Sequence, residues 1–208
     1  QGLFEKFPCD AVFAMHNKPG IPIGAMATRA GPLLAATDRF DIRVKGQGVH
    51  AAYPHGGVDP FVASAQIVTA LQSIVSRNID PVDSAVVTIG FMRGGTAYNV
   101  IPDEVHIGGT VRSFKPLTQD LVERRMGEII QGTAAACGAT AQFDYRRGYP
   151  PTVNHGDEAM FAADVAAEIC GDDKVNRTVL PSLGGEDFSY MLQAVPGAMV
   201  WLGNGSGE

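Results

Sequence analysis

The sequence predicts a mixed α/β chain in which a split βαβ unit is inserted into an α/β domain. Three observations carry this. Between residues 40 and 146 the hydrophobic period alternates between two and about 3.6, in the order strand, helix, strand, strand, helix, strand. On either side lie short, unbroken apolar runs, Ala11–Met15 and Ala198–Leu202, of the kind expected for strands buried on both faces. The composition also changes after Tyr149-Pro150-Pro151. The expected divisions are residues 1–33 and 149–208, two pieces of one α/β domain, and 34–148, the insertion.

Taken in order, Ala11–Met15 is a strand ending at His16-Asn17, followed by Lys18-Pro19-Gly20-Ile21-Pro22 as loop. Phe40, Ile42 and Val44 alternate with Asp41, Arg43 and Lys45, a strand with one covered face. A loop rich in Gly and His spans 46–57. Asp59-Pro60 reads as N-cap and first helical residue, with Phe61, Ser64, Ile67, Val68, Leu71, Ile74 and Val75 on the inner face. Val87, Ile89 and Phe91 form the inner face of a second strand. Val105, Ile107, Gly109 and Val111 form that of a third. A helix after Pro116 buries Val122, Met126, Ile129, Ile130, Ala134 and Cys137 and stops at Gly138. Ala141, Phe143 and Tyr145 mark the fourth strand. Two helices cover one face of such a sheet, so the face carrying His106, Gly108, Thr110 and Arg112 is left for solvent, ligand or another domain. Beyond residue 150, Met160–Ile169 is an alanine-rich helix, and Gly184–Phe188 is a loop opening a short one.

Composition narrows the function classes. The 208 residues are 45% hydrophobic and 18% charged, as in a packed globular protein. A net charge of −6 without a Lys/Arg run argues against a nucleic-acid partner. No apolar stretch approaches a membrane span, so no membrane partner is expected. Cys9, Cys137 and Cys170 are odd in number, widely spaced and free of a C-x-x-C pair. They read as small thiols in a reducing compartment, hence a cytoplasmic protein. The chain begins with Gln1 and stops after Gly203-Asn204-Gly205, and both ends read as cut.

Several residues suit chemistry, each beside a plainer reading. His16, at the C-terminal end of a strand where α/β sheets bind ligands, suits a metal ligand or is structural. His50 and His55, on the loop Gly46–Gly57, could bind metal, donate to an oxyanion or be merely exposed. Arg112 on the uncovered face is a fork for a carboxylate, a solvated arginine, or one arm of an ion pair with Asp144 or Glu104. Asn99 is a ligand-binding amide or a turn asparagine. Glu186-Asp187 could be an acid/base pair, although a helix cap is the commoner use.

Six segments in order resemble hippurate hydrolases and indole-acetyl amino acid hydrolases, the aminoacylase-like zinc metallopeptidases. They are Ala14-Met15-His16-Asn17 with its Pro-Gly loop, Gly48–His55 through Asp59-Pro60, Asn99–Pro102, Gly109–Arg112, Tyr149–Asn154 and Gly185–Phe188. The resemblance covers essentially the whole chain. It implies a ferredoxin-like βαββαβ lid inserted into a zinc-peptidase-like α/β catalytic domain. It implies amide hydrolysis of N-acyl amino acids by water held between two divalent metal ions, zinc or manganese, and homodimerisation through the lid. Carried over, His16 is a metal ligand, His50 an oxyanion-stabilising catalytic residue that reaches the partner's site, and Asn99 and Arg112 bind substrate. The same resemblance places a Cys/His/Asp metal motif and a general-base glutamate before Gln1, and a last histidine ligand after Glu208. This chain is then expected to be inactive alone. The rival reading is a non-catalytic dimerisation or ligand-binding module.

Overall fold

The computed structural model describes residues 2–206. In chain order its main elements are α1 (Leu3–Lys6), β1 (Val12–Lys18), β2 (Met26–Ala27), β3 (Gly31–Leu34), β4 (Ala36–Lys45), β5 (Val49–His50), α2 (Pro60–Arg77), β6 (Ala85–Gly94), β7 (Val100–Ile101), β8 (Glu104–Ser113), α3 (Pro116–Ala136), β9 (Thr140–Arg146), β10 (Thr152–Asn154), α4 (Gly156–Cys170), β11 (Val175–Asn176), α5 (Ser189–Ala194) and β12 (Gly197–Gly203). The chain forms two compact units, one of residues 1–36 with 149–208, the other of residues 37–148.

The unit 37–148 holds a four-stranded sheet in the order β6-β8-β4-β9, with β6/β8 and β4/β9 antiparallel. Helices α2 and α3 pack on each other and on the sheet, because their apolar residues recur at helical spacing. Asp59 caps α2 by accepting from the backbone N–H of Phe61 at 2.8 Å. Gly138, at φ +72°, takes the left-handed conformation just past the end of α3. The core between helices and sheet holds Phe40, Ile42, Ile67, Leu71, Ile107, Val111, Met126 and Ile130, all but Phe40 fully buried. Burying one such aliphatic side chain contributes about 1.5–3 kcal/mol.

Phe91 departs from the expected inner face. The register of β6 against β8 slips between Ile89 and Phe91, so Ile89 faces Gly109 while Phe91 faces Gly108. Gly90 is the extra residue of this bulge, and a single inserted residue reverses every side chain beyond it. The Phe91 ring therefore lies on the helix-free face, over Gly108, where a Cβ would stand 2.4 Å from its ring carbons. On the inner face Gly109 does the same for Phe40, whose ring would be 2.4 Å from a Cβ there. Each of the two adjacent glycines thus receives one phenyl ring, on opposite faces of the sheet.

In the other unit, β1, β12, β2 and β11 form a sheet in that order. β1 and β12 are parallel, β12 and β2 antiparallel. A second, two-stranded sheet joins β3 and β10, and α4 packs against β12, β2 and β11. The first strand differs from expectation in two ways. It continues through His16 to Lys18, because parallel pairing with β12 runs the full seven residues. It is not buried on both faces: Phe13 and Met15 are 47% and 61% exposed, since β1 is the edge strand and only Val12 and Ala14 face the core of Leu33, Phe188, Met199 and Trp201.

Candidate functional site

His16 stands in β1 opposite Trp201 of β12, near the C-terminal end of the parallel pair. Its Nδ1 is 2.7 Å from the carbonyl oxygen of Asn17, and its Nε2 is 3.8 Å from Oε2 of Glu186. Glu186 is therefore not the cap of α5. That helix has Phe188 as N-cap with no side-chain cap bond, and Glu186 spends one carboxylate oxygen on the N–H of Asp187 and turns the other toward His16. The loop that carries it is anchored at Ser182, which exchanges backbone hydrogen bonds with Leu33 and Ala35.

His50 and Asn99 come together in the unit 37–148. β5 and β7 form a two-stranded ribbon pairing His50 with Val100, and Ala51 donates to the carbonyl of Asn99 at 2.9 Å. The backbone N–H of Ala52 donates to Nδ1 of His50 at 3.1 Å. With Nδ1 accepting this bond, Nε2 is the nitrogen of the exposed ring that can donate. That is what an oxyanion-stabilising imidazole needs. Tyr53 packs between His50 and His55, with ring centroids 5.8 and 6.5 Å away.

Arg112 lies far from this ribbon. It is eight residues along β8 from Glu104, about 27 Å at strand rise. Its neighbour across the ladder is Val86. The acids within its expected reach are engaged elsewhere: Glu104 pairs with Arg43 at 2.8 Å and Asp144 with Arg146. Arg112 is half-buried with no ion pair among the described residues, which leaves its guanidinium open to a ligand. The room expected over Gly108 is filled by Phe91. The helix-free face instead carries a chain of contacts that alternation alone did not reveal. Arg93 lies over the Phe91 ring at 4.6 Å, Phe91 meets His106 edge-on at 5.0 Å, and His106 Nε2 is 2.7 Å from Asp41.

Among the described residues no group of three or more His, Cys, Asp or Glu could hold a metal ion. His16 with Glu186 fits one corner of a zinc or manganese site, not the three or four ligands such a site requires.

The whole chain, residues 1–208, matches the peptidase family M20/M25/M40. The chain belongs to this family. It is 42% identical over 199 residues to an N-acetylcysteine deacetylase of Bacillus subtilis (strain 168), covering 95% of this chain and 52% of that protein. It is 40% identical over 204 residues to an N-acetyldiaminopimelate deacetylase of Leuconostoc mesenteroides, covering 97% and 53%. Among solved structures it resembles a protein from methicillin-resistant Staphylococcus aureus with a TM-score of 0.87, 30% identity and coverage of 97% and 52%. It also resembles a dinuclear metal-binding M20 peptidase of Bacillus subtilis with a TM-score of 0.75, 35% identity and coverage of 93% and 48%. The M20 chain therefore spans about half the length of the curated relatives it matches. Both named relatives are deacetylases, so amide hydrolysis is the chemistry of the family around it, while neither is a hippurate hydrolase.

Proposed function

We propose that this M20 chain is part of a metal-dependent amidohydrolase that cleaves N-acyl amino acids, contributing substrate-binding residues and one metal ligand. The observation that carries the reading is the family match over all 208 residues, with relatives named as N-acetyl amino acid deacetylases. The acyl group is acetyl or, as in hippurate-type substrates, benzoyl. Residues 1–33 and 149–208 belong to the catalytic domain, where His16 is a ligand for one of two zinc or manganese ions. Residues 34–148 are a ferredoxin-like lid, a reading supported by the strand order β6-β8-β4-β9. His50 donates to the oxyanion, supported by its Nδ1 accepting from the Ala52 N–H, and Asn99 and Arg112, which lie too far apart within one chain to grip the same group, each bind the substrate's carboxylate or carbonyl. The lid forms a homodimer, supported by the free edges of β6 and β9 among the described residues. Free Cys9, Cys137 and Cys170 support a cytoplasmic setting. No helix among the described residues is long and apolar enough to cross a membrane.

The test is hydrolysis of N-acetyl and N-benzoyl amino acids with zinc or manganese added. The 208-residue chain alone is expected to show no turnover, and a longer protein carrying it with a complete ligand set is expected to show turnover that His16→Ala abolishes. Turnover by the short chain refutes the incomplete site. No turnover by the longer protein on either acyl series refutes the hydrolase reading and favours a binding module.

A further inference from the structure

Lys18 follows His16 by two residues in β1 and so projects from the same face of the strand. Its ammonium lies 4.8 Å from the centroid of the Trp201 ring and donates to the Ser182 hydroxyl at 3.1 Å. Among the described residues no carboxylate pairs with it. Trp201 is 3% exposed and forms the floor of an open cavity of about 300 Å³, with Lys18 and Ser182 on its rim and Ile21, Val179 and Leu180 as apolar walls. The Ser182 backbone is held by its bonds to Leu33 and Ala35, and its hydroxyl, which also accepts from the Gly184 N–H at 3.4 Å, keeps its own proton to donate. A lysine held over an aromatic ring beside a hydroxyl, without a carboxylate of its own, is a preorganised cation.

We propose that this cavity is a subsite for a carboxylate carried by the ligand, separate from Asn99 and Arg112. The carboxylate accepts from Lys18 and Ser182, and the methylenes joining it to the rest of the ligand lie on Trp201, Ile21 and Val179. One ammonium and one hydroxyl suit a single carboxylate, whereas a phosphate calls for more donors. The inference rests on the amidohydrolase reading only for its biological consequence, a preference for N-acyl substrates with a second acidic group. The binding itself does not depend on hydrolysis.

Trp201 is the sole tryptophan of the chain, so its emission reports on Lys18 directly. The experiment titrates the 208-residue protein with glutarate, neutral glutaramide and inorganic phosphate. A saturable change with glutarate alone is expected. Lys18→Met should weaken it roughly tenfold or more, Ser182→Ala severalfold, and Lys18→Arg should retain it. Far-UV circular dichroism confirms that each variant is folded. No saturable change, an equal response to glutaramide or phosphate, or an unchanged affinity in folded Lys18→Met overturns the subsite. Glutarate binding without amide hydrolysis in the longer protein leaves the subsite standing and defeats only the hydrolase reading.

Discussion

The two units solve the same packing problem by opposite means. Residues 37–148 enclose eighteen buried hydrophobic residues in one continuous core between two helices and four strands. The unit of residues 1–36 and 149–208 gathers seven. It compensates with a buried polar clip: the Asn154 amide donates to Thr28 Oγ1, to the Arg29 carbonyl and to the Met199 carbonyl, and its oxygen accepts from Met199 N. Each satisfied bond adds little, yet each would be costly to leave unmade. Meanwhile Phe13, Met15, Phe161 and Ile169 remain 47–71% exposed along β1 and α4. Apolar burial thus specifies one unit, and directional hydrogen bonds specify much of the other.

The sharpest way to break this contrast is to attack the exception inside the apolar unit. Asp38 is fully buried and accepts from Tyr145 Oη at 2.7 Å, from Gln119 Nε2 and from Gly148 N. It ties the first strand of the unit to the last. Asp38→Ala strands three donors, so a loss of about 3–5 kcal/mol in chemical denaturation followed by circular dichroism is expected. Trp201 emission, which reports on the other unit, should change much less. In that unit Asn154→Ala is expected to cost about 2–3 kcal/mol and to shift the Trp201 transition first. If both variants moved both probes equally, the two units would not be separate in stability.

The Phe91–Gly108 contact comes next. Gly108→Ala puts a methyl group into the Phe91 ring and should cost about 1–3 kcal/mol. The double variant Phe91→Ala/Gly108→Ala should recover part of that loss, and additive costs would show that the two do not touch.

How much of this was legible in the sequence follows from the kind of force involved. The elements of the inserted unit could be read because burial imposes a period, as with Phe40, Ile42 and Val44, and because Asp59-Pro60 is a local cap signal. The bulge at Gly90 could not, since the alternation Val87, Ile89, Phe91 continues through it unbroken and only pairing with Gly108 and Gly109 displaces it. The adjacent glycines Gly108 and Gly109, each able to receive a phenylalanine ring, were the available hint. The open face of β1 escaped because unbroken apolar runs look alike whether a strand is central or at an edge. Of the candidate site, the nearness of His50 to Asn99 and of His16 to Glu186 depends on tertiary pairing across about 50 and 170 residues. Lys18 carries no local signal, because its segment reads as loop.

The smallest expected effect is also the most specific, because it separates burial from charge within a single contact. Burial of Tyr145 and the neighbouring Asp38 carboxylate hold its phenol protonated well above the ordinary tyrosine range. A group whose folded-state pKa is raised favours folding fully below its unfolded pKa, about 10, and that advantage is lost as pH climbs toward the folded value. Stability of the unit 37–148 should then be insensitive to this group at neutral pH and fall above about pH 10 by at most about 1.4 kcal/mol per pH unit, less because solvent screens the half-buried phenol. Tyr145→Phe removes the titrating proton and, at neutral pH, one hydrogen bond worth about 1 kcal/mol. The variant should therefore be slightly weaker at pH 7 and lack this part of the alkaline slope. Denaturation midpoints at pH 7, 10 and 11 measure both quantities. A variant that kept the full slope would show that the proton lost on alkaline unfolding is not held between Tyr145 and Asp38, and that the clasp joining the first and last strands is neutral to pH.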